Sequence, residues 1–420
     1  MPGTDRVPAL RAWLADAGIP PPVLALFALY LWVLPLAHTA SIRTLLLVLF
    51  VVLTGWHAWK RGLRINVPLL WPWLLFTLAA FVSLTYAVDV WYSLGEIKSE
   101  IGYGVIGMIL AATWVRSWRA LATMAWVVVA GDTALVFGTF FNFWRAGLPS
   151  EITQFGAFNL GVGNTSTYLL IMIPFVAAAF VLAGRRRMAL RFALAGLLAG
   201  NLFALYLTAN RMGLIVLGVE IALFAGALLW RRRNAVHWAI YAGVILVLAA
   251  SVLLAHKQLE RRIGNQVGVV ESMRTDVRWD LWRFSVESIR ARPYTGGGFG
   301  RYAFKLLHPG YPRTSGCDQC WHPHNGLLSM TMQIGLPGLG AFLLLLATGA
   351  HRLWRGMRAA APDGAPWVLL LAGIVMFVGL LLKIQTDDFF HRDIGWFFWT
   401  MMGALLGAQS SAVKGAEPDA

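Results

Sequence analysis

Long apolar runs recur from one end of this chain to the other, and few charges separate them. Stretches of about 15 to 25 mostly apolar residues, the length that crosses a hydrocarbon core, begin near Pro22, Ile42, Val67, Ile101, Ala120, Gly163, Phe192, Met212, Ala235, Asn325, Ala365 and Ile394. Within lipid an open chain can satisfy its own backbone only as helix. The sequence therefore predicts an all-α polytopic membrane protein with about twelve transmembrane helices. The fourth stretch is interrupted by Gly102, Gly104 and Gly107 and the twelfth is short, so a count of ten is the alternative. Charged residues form 13% of the chain and apolar ones 58%, against roughly 25% charged in an average globular protein. These values exclude a disordered chain, a coiled coil and a small disulfide scaffold. The 20 Trp and 24 Phe suit aromatic belts at two membrane faces.

The formal charge of +15 does not point to nucleic acid. Arg and Lys sit in short clusters between apolar runs, such as Arg185 to Arg187, Arg231 to Arg233 and Arg352 to Arg358. With a cytoplasmic N-terminus, the short inner connections hold 18 basic residues and the outer ones 6, which places both termini in the cytoplasm. The remaining 11 fall in one long outer segment, where loop length makes charge a poor guide to side. The chain divides into a cytoplasmic segment 1–21, transmembrane helices one to nine over 22–256, a loop subdomain 257–323, helices ten to twelve over 324–409 and a cytoplasmic tail 410–420. No cleavable signal peptide is evident, since the first apolar run leads directly into a second. From Lys257 to His324 the loop has a net charge of +5, which suits anionic substrates such as phosphates or a face attracted to anionic headgroups.

Within that loop, Glu271 to Ala291 reads as one amphipathic helix ended by Pro293. At about 100° per residue, Val277, Leu281, Trp282, Phe284 and Ile289 share an arc, and Arg278 projects into its middle. A guanidinium on a packing face needs either a loop carboxylate or an anionic ligand, because an unpaired buried charge is costly. Arg211, in Thr208-Ala209-Asn210-Arg211-Met212-Gly213, sits where two spans meet with almost no loop. It either snorkels to the headgroups or marks a functional site.

Trp321-His322-Pro323-His324-Asn325-Gly326 stands where the loop returns to the membrane. A neutral imidazole there suits a general base that removes a hydroxyl proton, and Asn325 either orients it or caps the next helix. Cys317 and Cys320, with His322 and His324, admit a disulfide, free thiols or a metal; the spacing is tighter than common zinc sites. Gly296-Gly297-Gly298-Phe299-Gly300 reads as a flexible turn or an anion nest. Asp387-Asp388, with His391 and Asp393, would bind a cation or orient an acceptor. No Asp-x-Asp pattern of a metal-assisted nucleotide-sugar transferase occurs.

Three of these segments together resemble the O-antigen ligase and polymerase superfamily of polytopic envelope glycosyltransferases. Thr208 to Gly213 is similar to its Arg-centred motif. Arg278-Trp279-Asp280-Leu281-Trp282, through Arg292-Pro293-Tyr294-Thr295-Gly296 to Gly298-Phe299-Gly300, is similar to its long-loop pattern. Pro323-His324-Asn325-Gly326-Leu327, through Gly335-Leu336-Pro337-Gly338, is similar to its His-Asn motif. The family often has Glu where this chain has Gln333.

Within the family the resemblance points to ligases. It implies transfer of a glycan from undecaprenyl diphosphate to a hydroxyl of the lipid A core, at the periplasmic face of a bacterial inner membrane, without metal or other cofactor. His324 would be the general base, and Arg211 and Arg278 would stabilise the departing diphosphate. His322, Asn325, Asp388 and Arg274 are further substrate-binding candidates. Polymerases and protein O-oligosaccharyltransferases share the motifs. A transporter of lipid-linked glycans is the alternative from another class, although matched Gly/Pro-broken spans in two halves are not seen.

Overall fold

The computed structural model describes residues 18–148, 154–184, 187–231, 253, 257, 277–311, 321–362, 364–388, 390 and 392–414. Among them no strand occurs. The helices are α1 (Pro21–Val33), α2 (Ala40–Arg61), α3 (Leu70–Val82), α4 (Val90–Glu96), α5 (Tyr103–Trp114), α6 (Trp118–Arg145), α7 (Val162–Leu182), α8 (Met188–Leu207) and α9 (Arg211–Arg231). They continue with α10 (Val277–Ala291), α11 (Ala303–Leu307), α12 (Gly326–Ala359), α13 (Ala365–Lys383) and α14 (Arg392–Lys414).

Seven of these, α2, α6, α7, α8, α9, α12 and α13, are long and apolar enough to cross a bilayer. They coincide with the second, fifth to eighth, tenth and eleventh expected spans. Helices α1 and α3 are shorter apolar helices. Large side chains such as Val52, Leu78, Phe137 and Phe192 stand exposed on the outside of the bundle, as they should when the solvent is lipid. The expected ninth span, begun near Ala235, lies outside the described residues, as do Arg274, Cys317, Cys320 and His391.

The helices at the fourth and twelfth expected spans are not among those seven, and both differ from the sequence expectation. Helical structure starts at Val90, where the Asp89 side chain accepts from Tyr92 N–H at 2.9 Å, and runs through a π-helical turn (Ile97–Gly102) into α5. The glycines that interrupt the apolar pattern are contact points: Gly104 faces Trp399 and Gly107 faces Thr400. On α14, Gly403 and Gly407 lie one turn apart against the backbone of Met108 and Ala112, and a Cβ on Gly407 would stand 2.6 Å from the Ala112 oxygen. Small residues let two membrane helices approach backbone to backbone. Helix α14, expected to be short, runs over 23 residues and continues to Lys414 beyond the boundary expected near Gln409.

Helix α7 packs against α6, α8 and α13, while α12 packs on α3 and α13. Asp132 of α6, buried, accepts from Asn201 Nδ2 of α8 at 2.7 Å. Arg43 of α2 pairs with Asp393 at the start of α14 (3.2 Å), and Tyr168 O–H donates to the same carboxylate at 2.7 Å.

Helix α12 is kinked at Gly335, whose φ is 70°, two residues before Pro337. Proline has no N–H, so the Gln333 carbonyl four residues back loses its helical donor. Leu336 N–H turns outward to the Pro293 carbonyl (2.8 Å), which frees the Met332 carbonyl as well. The glycine turn fills both vacancies: Gly297 N–H donates to Met332 O at 2.9 Å and Gly298 N–H to Gln333 O at 3.1 Å. Side chains are excluded here, because a Cβ on Gly296 would collide with those carbonyls and one on Gly335 would lie 2.5 Å from Tyr294 O. The turn is therefore a rigid clasp. Gly335→Ala should lower the thermal unfolding midpoint in detergent, at a cost of about 2 kcal/mol or more from the left-handed φ and the collision. Gly340→Ala, where nothing lies within 4 Å of the new methyl, should leave the midpoint near that of the wild type.

Candidate active site

Five segments meet at one end of the bundle: the clasp and Arg301 after it, His322 to Asn325 before α12, the end of α13, the loop after it, and the start of α9. The amphipathic helix α10 lies over them. As expected, Leu281 is buried and Arg283, Glu287 and Arg290 face outward, whereas Val277, expected on the packing arc, is exposed. Leu281 packs with Phe304 and Met332, so the helix rests on the kinked part of α12. Trp282 Nε1–H donates to the Pro323 carbonyl at 3.0 Å, which ties the helix that carries Arg278 to the histidine segment.

Local backbone geometry places His324. Its φ is +48°, a left-handed conformation for a non-glycine residue, immediately before the cap of α12. The Asn325 side-chain oxygen accepts from Leu327 and Leu328 N–H (3.0 and 3.1 Å), and its Nδ2 donates to the Gln385 carbonyl at 3.1 Å. Capping, one of the two roles the sequence left open for Asn325, is the one these contacts describe. The Gln385 contact also fixes the loop that carries Asp387.

His324 Nδ1 then lies 3.3 Å from Asp387 Oδ1. His322, only 2% exposed, lies 4.0 Å between ring centroids from His324 with the two rings tilted by 47°, and its Nε2 lies 3.6 Å from the same carboxylate oxygen. Arg301 Nη2 approaches that Nε2 to 2.6 Å and Asp387 Oδ1 to 3.5 Å. Burial alone would raise the Asp387 carboxyl. The His324 hydrogen bond and the charges of His322, His324 and Arg301 outweigh it and hold the group well below the usual carboxylate range. The ligating atoms of His322, His324 and Asp387 lie within 4.8 Å of one another, a set able to hold a metal ion. Arg301 leans on two of them, and a guanidinium beside those atoms opposes a cation.

Asp388 plays a different part. It is buried, and burial pushes its carboxyl up despite Arg301 and the Ser329 hydrogen bond. Ser329 O–H donates to it at 2.6 Å, Gln333 Nε2 donates to Ser329 Oγ at 3.0 Å, and Gly300 N–H donates to Gln333 Oε1 at 2.8 Å. Gln333 thus couples clasp to loop. With Gly297, Gly298, Phe299 and Gly300 N–H all engaged inside the protein, those four amides form no anion nest, the alternative the glycine run had admitted. Asp393 pairs with Arg43 and is apart from this set.

Arg211 opens α9, and the turn before it is built by Ala209 at φ 50° and by Asn210, whose side chain accepts from Gly213 N–H at 3.0 Å. Lys383 Nζ donates to the same Asn210 oxygen at 2.9 Å. Lys383 is itself within electrostatic reach of Asp387 and of Arg278. The end of α13 is therefore tied to the start of α9. Sequence reasoning missed Arg301, Lys383 and Ser329. Arg301 had been counted only among the basic loop residues, and its place directly after the glycine turn was the available signal.

Two outcomes follow from this geometry. Gln333→Leu strands Gly300 N–H and one Ser329 contact, and should destabilise the protein by about 1 to 3 kcal/mol in detergent unfolding. Asp387 titrates lower in the folded protein than in the unfolded chain, so its stabilisation is complete above about pH 4 and fades as the pH falls further. Asp387→Asn should unfold at lower temperature than the wild type at pH 7, and the gap should narrow as the pH is taken below about 4.

A search for curated relatives finds no match to the chain. Residues 194–343 match the family described as O-antigen ligase, a segment that holds Arg211, Arg278, Arg301, His322, His324 and Gln333. Across these residues the chain is similar to the O-antigen ligase family.

Proposed function

We propose that the chain is an O-antigen ligase: an inverting glycosyltransferase that moves a glycan from undecaprenyl diphosphate to a hydroxyl of the lipid A core, at the periplasmic face of the bacterial inner membrane. The observation that carries this reading is His324 held against the ionised Asp387, in a basic cluster within the segment that matches the family.

An ionised carboxylate accepts only, so the proton of His324 belongs on Nδ1 and Nε2 is left bare to act as base. The acceptor hydroxyl gives its proton to Nε2 as its oxygen attacks the anomeric carbon. The bond from that carbon to the diphosphate oxygen breaks, and the electron pair leaves with the diphosphate. Attack opposite the leaving group inverts the centre. Arg211 and Arg278 meet the growing negative charge with planar, bidentate donors, which act strongly where water is excluded. Lys383, tied to Asn210 and within electrostatic reach of Arg278, supports a cationic cradle around the diphosphate. Arg274 and Asp388 keep secondary parts, in substrate binding and in holding the loop. The chemistry of this scheme needs no metal ion or other cofactor.

His324→Ala should lower ligation by roughly 10² to 10⁴ while leaving binding of the lipid-linked donor. Arg211→Ala and Arg278→Ala should each lower it by about 10² or more, and EDTA should leave the wild-type rate intact. Purified protein incubated with donor and lipid A core distinguishes the classes. A core-linked product supports ligation, a lengthened donor means polymerisation, and no new bond means transport. Full turnover in His324→Ala removes the base from the scheme.

A further inference from the structure

Four aromatic rings run in series up to His324. Tyr92 of α4 meets Tyr302 at 6.2 Å between centroids, Tyr302 meets Trp321 at 4.7 Å and 45°, Trp321 meets His322 at 6.2 Å, and His322 meets His324 at 4.0 Å and 47°. The first three are half-buried, so each keeps ring surface open to the outside. They come from three separate segments, and hydrogen bonding fixes their relation: Tyr302 N–H donates to the Tyr92 hydroxyl at 2.8 Å. Tyr92 packs against Gly300, where a Cβ would lie 2.8 Å from its ring. The clasp thus sets the position of the whole row.

Each ring also stands beside a charged group. Arg301 precedes Tyr302 and His322 follows Trp321 in the chain, and both approach Asp387. Glu96, one turn after Tyr92, pairs with Arg392 at 3.0 Å. A lipid tail has no use for such a rim of charge. A pyranose does, since it offers an apolar face of C–H groups to an aromatic ring and a girdle of hydroxyls to charged neighbours.

We infer that Tyr92, Tyr302 and Trp321 form a stacking ledge for the sugar whose hydroxyl reacts, with Trp321 as its principal ring. This deepens the proposed function and rests on it for the choice of sugar. The row ends on the base, and the base takes its proton from the acceptor, so the ledge holds the acceptor sugar and not the donor glycan. Trp321 touches neither the reacting proton nor the diphosphate groups. Its part is to present the acceptor's face.

The test separates binding from turnover. Trp321→Ala should raise KM for the lipid A core acceptor roughly tenfold, with donor KM and kcat moving far less, and Trp321→Phe should recover most of the loss. A rise in donor KM instead, or no change in either, overturns the ledge. Independently, delipidated core oligosaccharide should bind His324→Ala protein in a calorimetric titration and bind the His324→Ala, Trp321→Ala double variant about tenfold more weakly. No binding to the former, or equal binding to both, overturns the ledge as well. Should His324→Ala still catalyse ligation, the base assignment fails while the titration continues to judge the ledge. If Trp321→Ala unfolds, Tyr302→Leu carries the same pair of measurements.

Discussion

The exchange of backbone hydrogen bonds at the kink of α12 is the contact on which the rest of the site depends. Pro337 and the outward turn of Leu336 N–H leave two carbonyls in the protein interior, at Met332 and Gln333, and the amides of Gly297 and Gly298 take them up. Neither partner is satisfied without the other, and a buried unpaired amide or carbonyl costs on the order of 1 to 3 kcal/mol. A loop that follows an amphipathic helix is in this way bound to a membrane helix by main-chain hydrogen bonds, with the Gln333 side chain adding one from Gly300 N–H. Arg301 leaves the clasp toward Asp387, and Gln333 extends from it through Ser329 to Asp388.

Around that anchor the charges are arranged as a graded set. Asp387 sits amid His322, His324 and Arg301 and remains ionised, while its neighbour Asp388, deeper and bound by a hydroxyl, is shifted the other way. Adjacent carboxyls with opposite shifts serve different ends: one polarises an imidazole, the other holds a loop. Lys383 spans the gap between this group and the start of α9 through Asn210, so the cations gather where three helices begin or end.

Much of this was legible in the sequence. Apolar runs located the seven long spans, and the arc of Leu281, Trp282 and Phe284 located the packed face of α10, because both are periodic signals. The Arg211, Arg278 and His324 motifs were visible because single anomalies stand out in an apolar background. What the sequence concealed was pairing across distance. Glycines on α5 read as breaks because their partners on α14 are almost three hundred residues away. The glycine turn read as flexible because the carbonyls it serves belong to a kink that neither segment reveals alone. Arg301 was lost among other basic loop residues, since only the fold sets it against His322 and Asp387.

The short first part of α12 has a consequence for what can change in this chain. Its N-cap at Asn325 fixes one end, and the clasp at Met332 and Gln333 grips the other, so the intervening turns work as a ruler of about 15 Å between the histidine and the bend. One inserted residue would rotate everything beyond it by about 100°. Either the imidazole or the bend would then lose its seat. Length variation is thus forbidden between these two points.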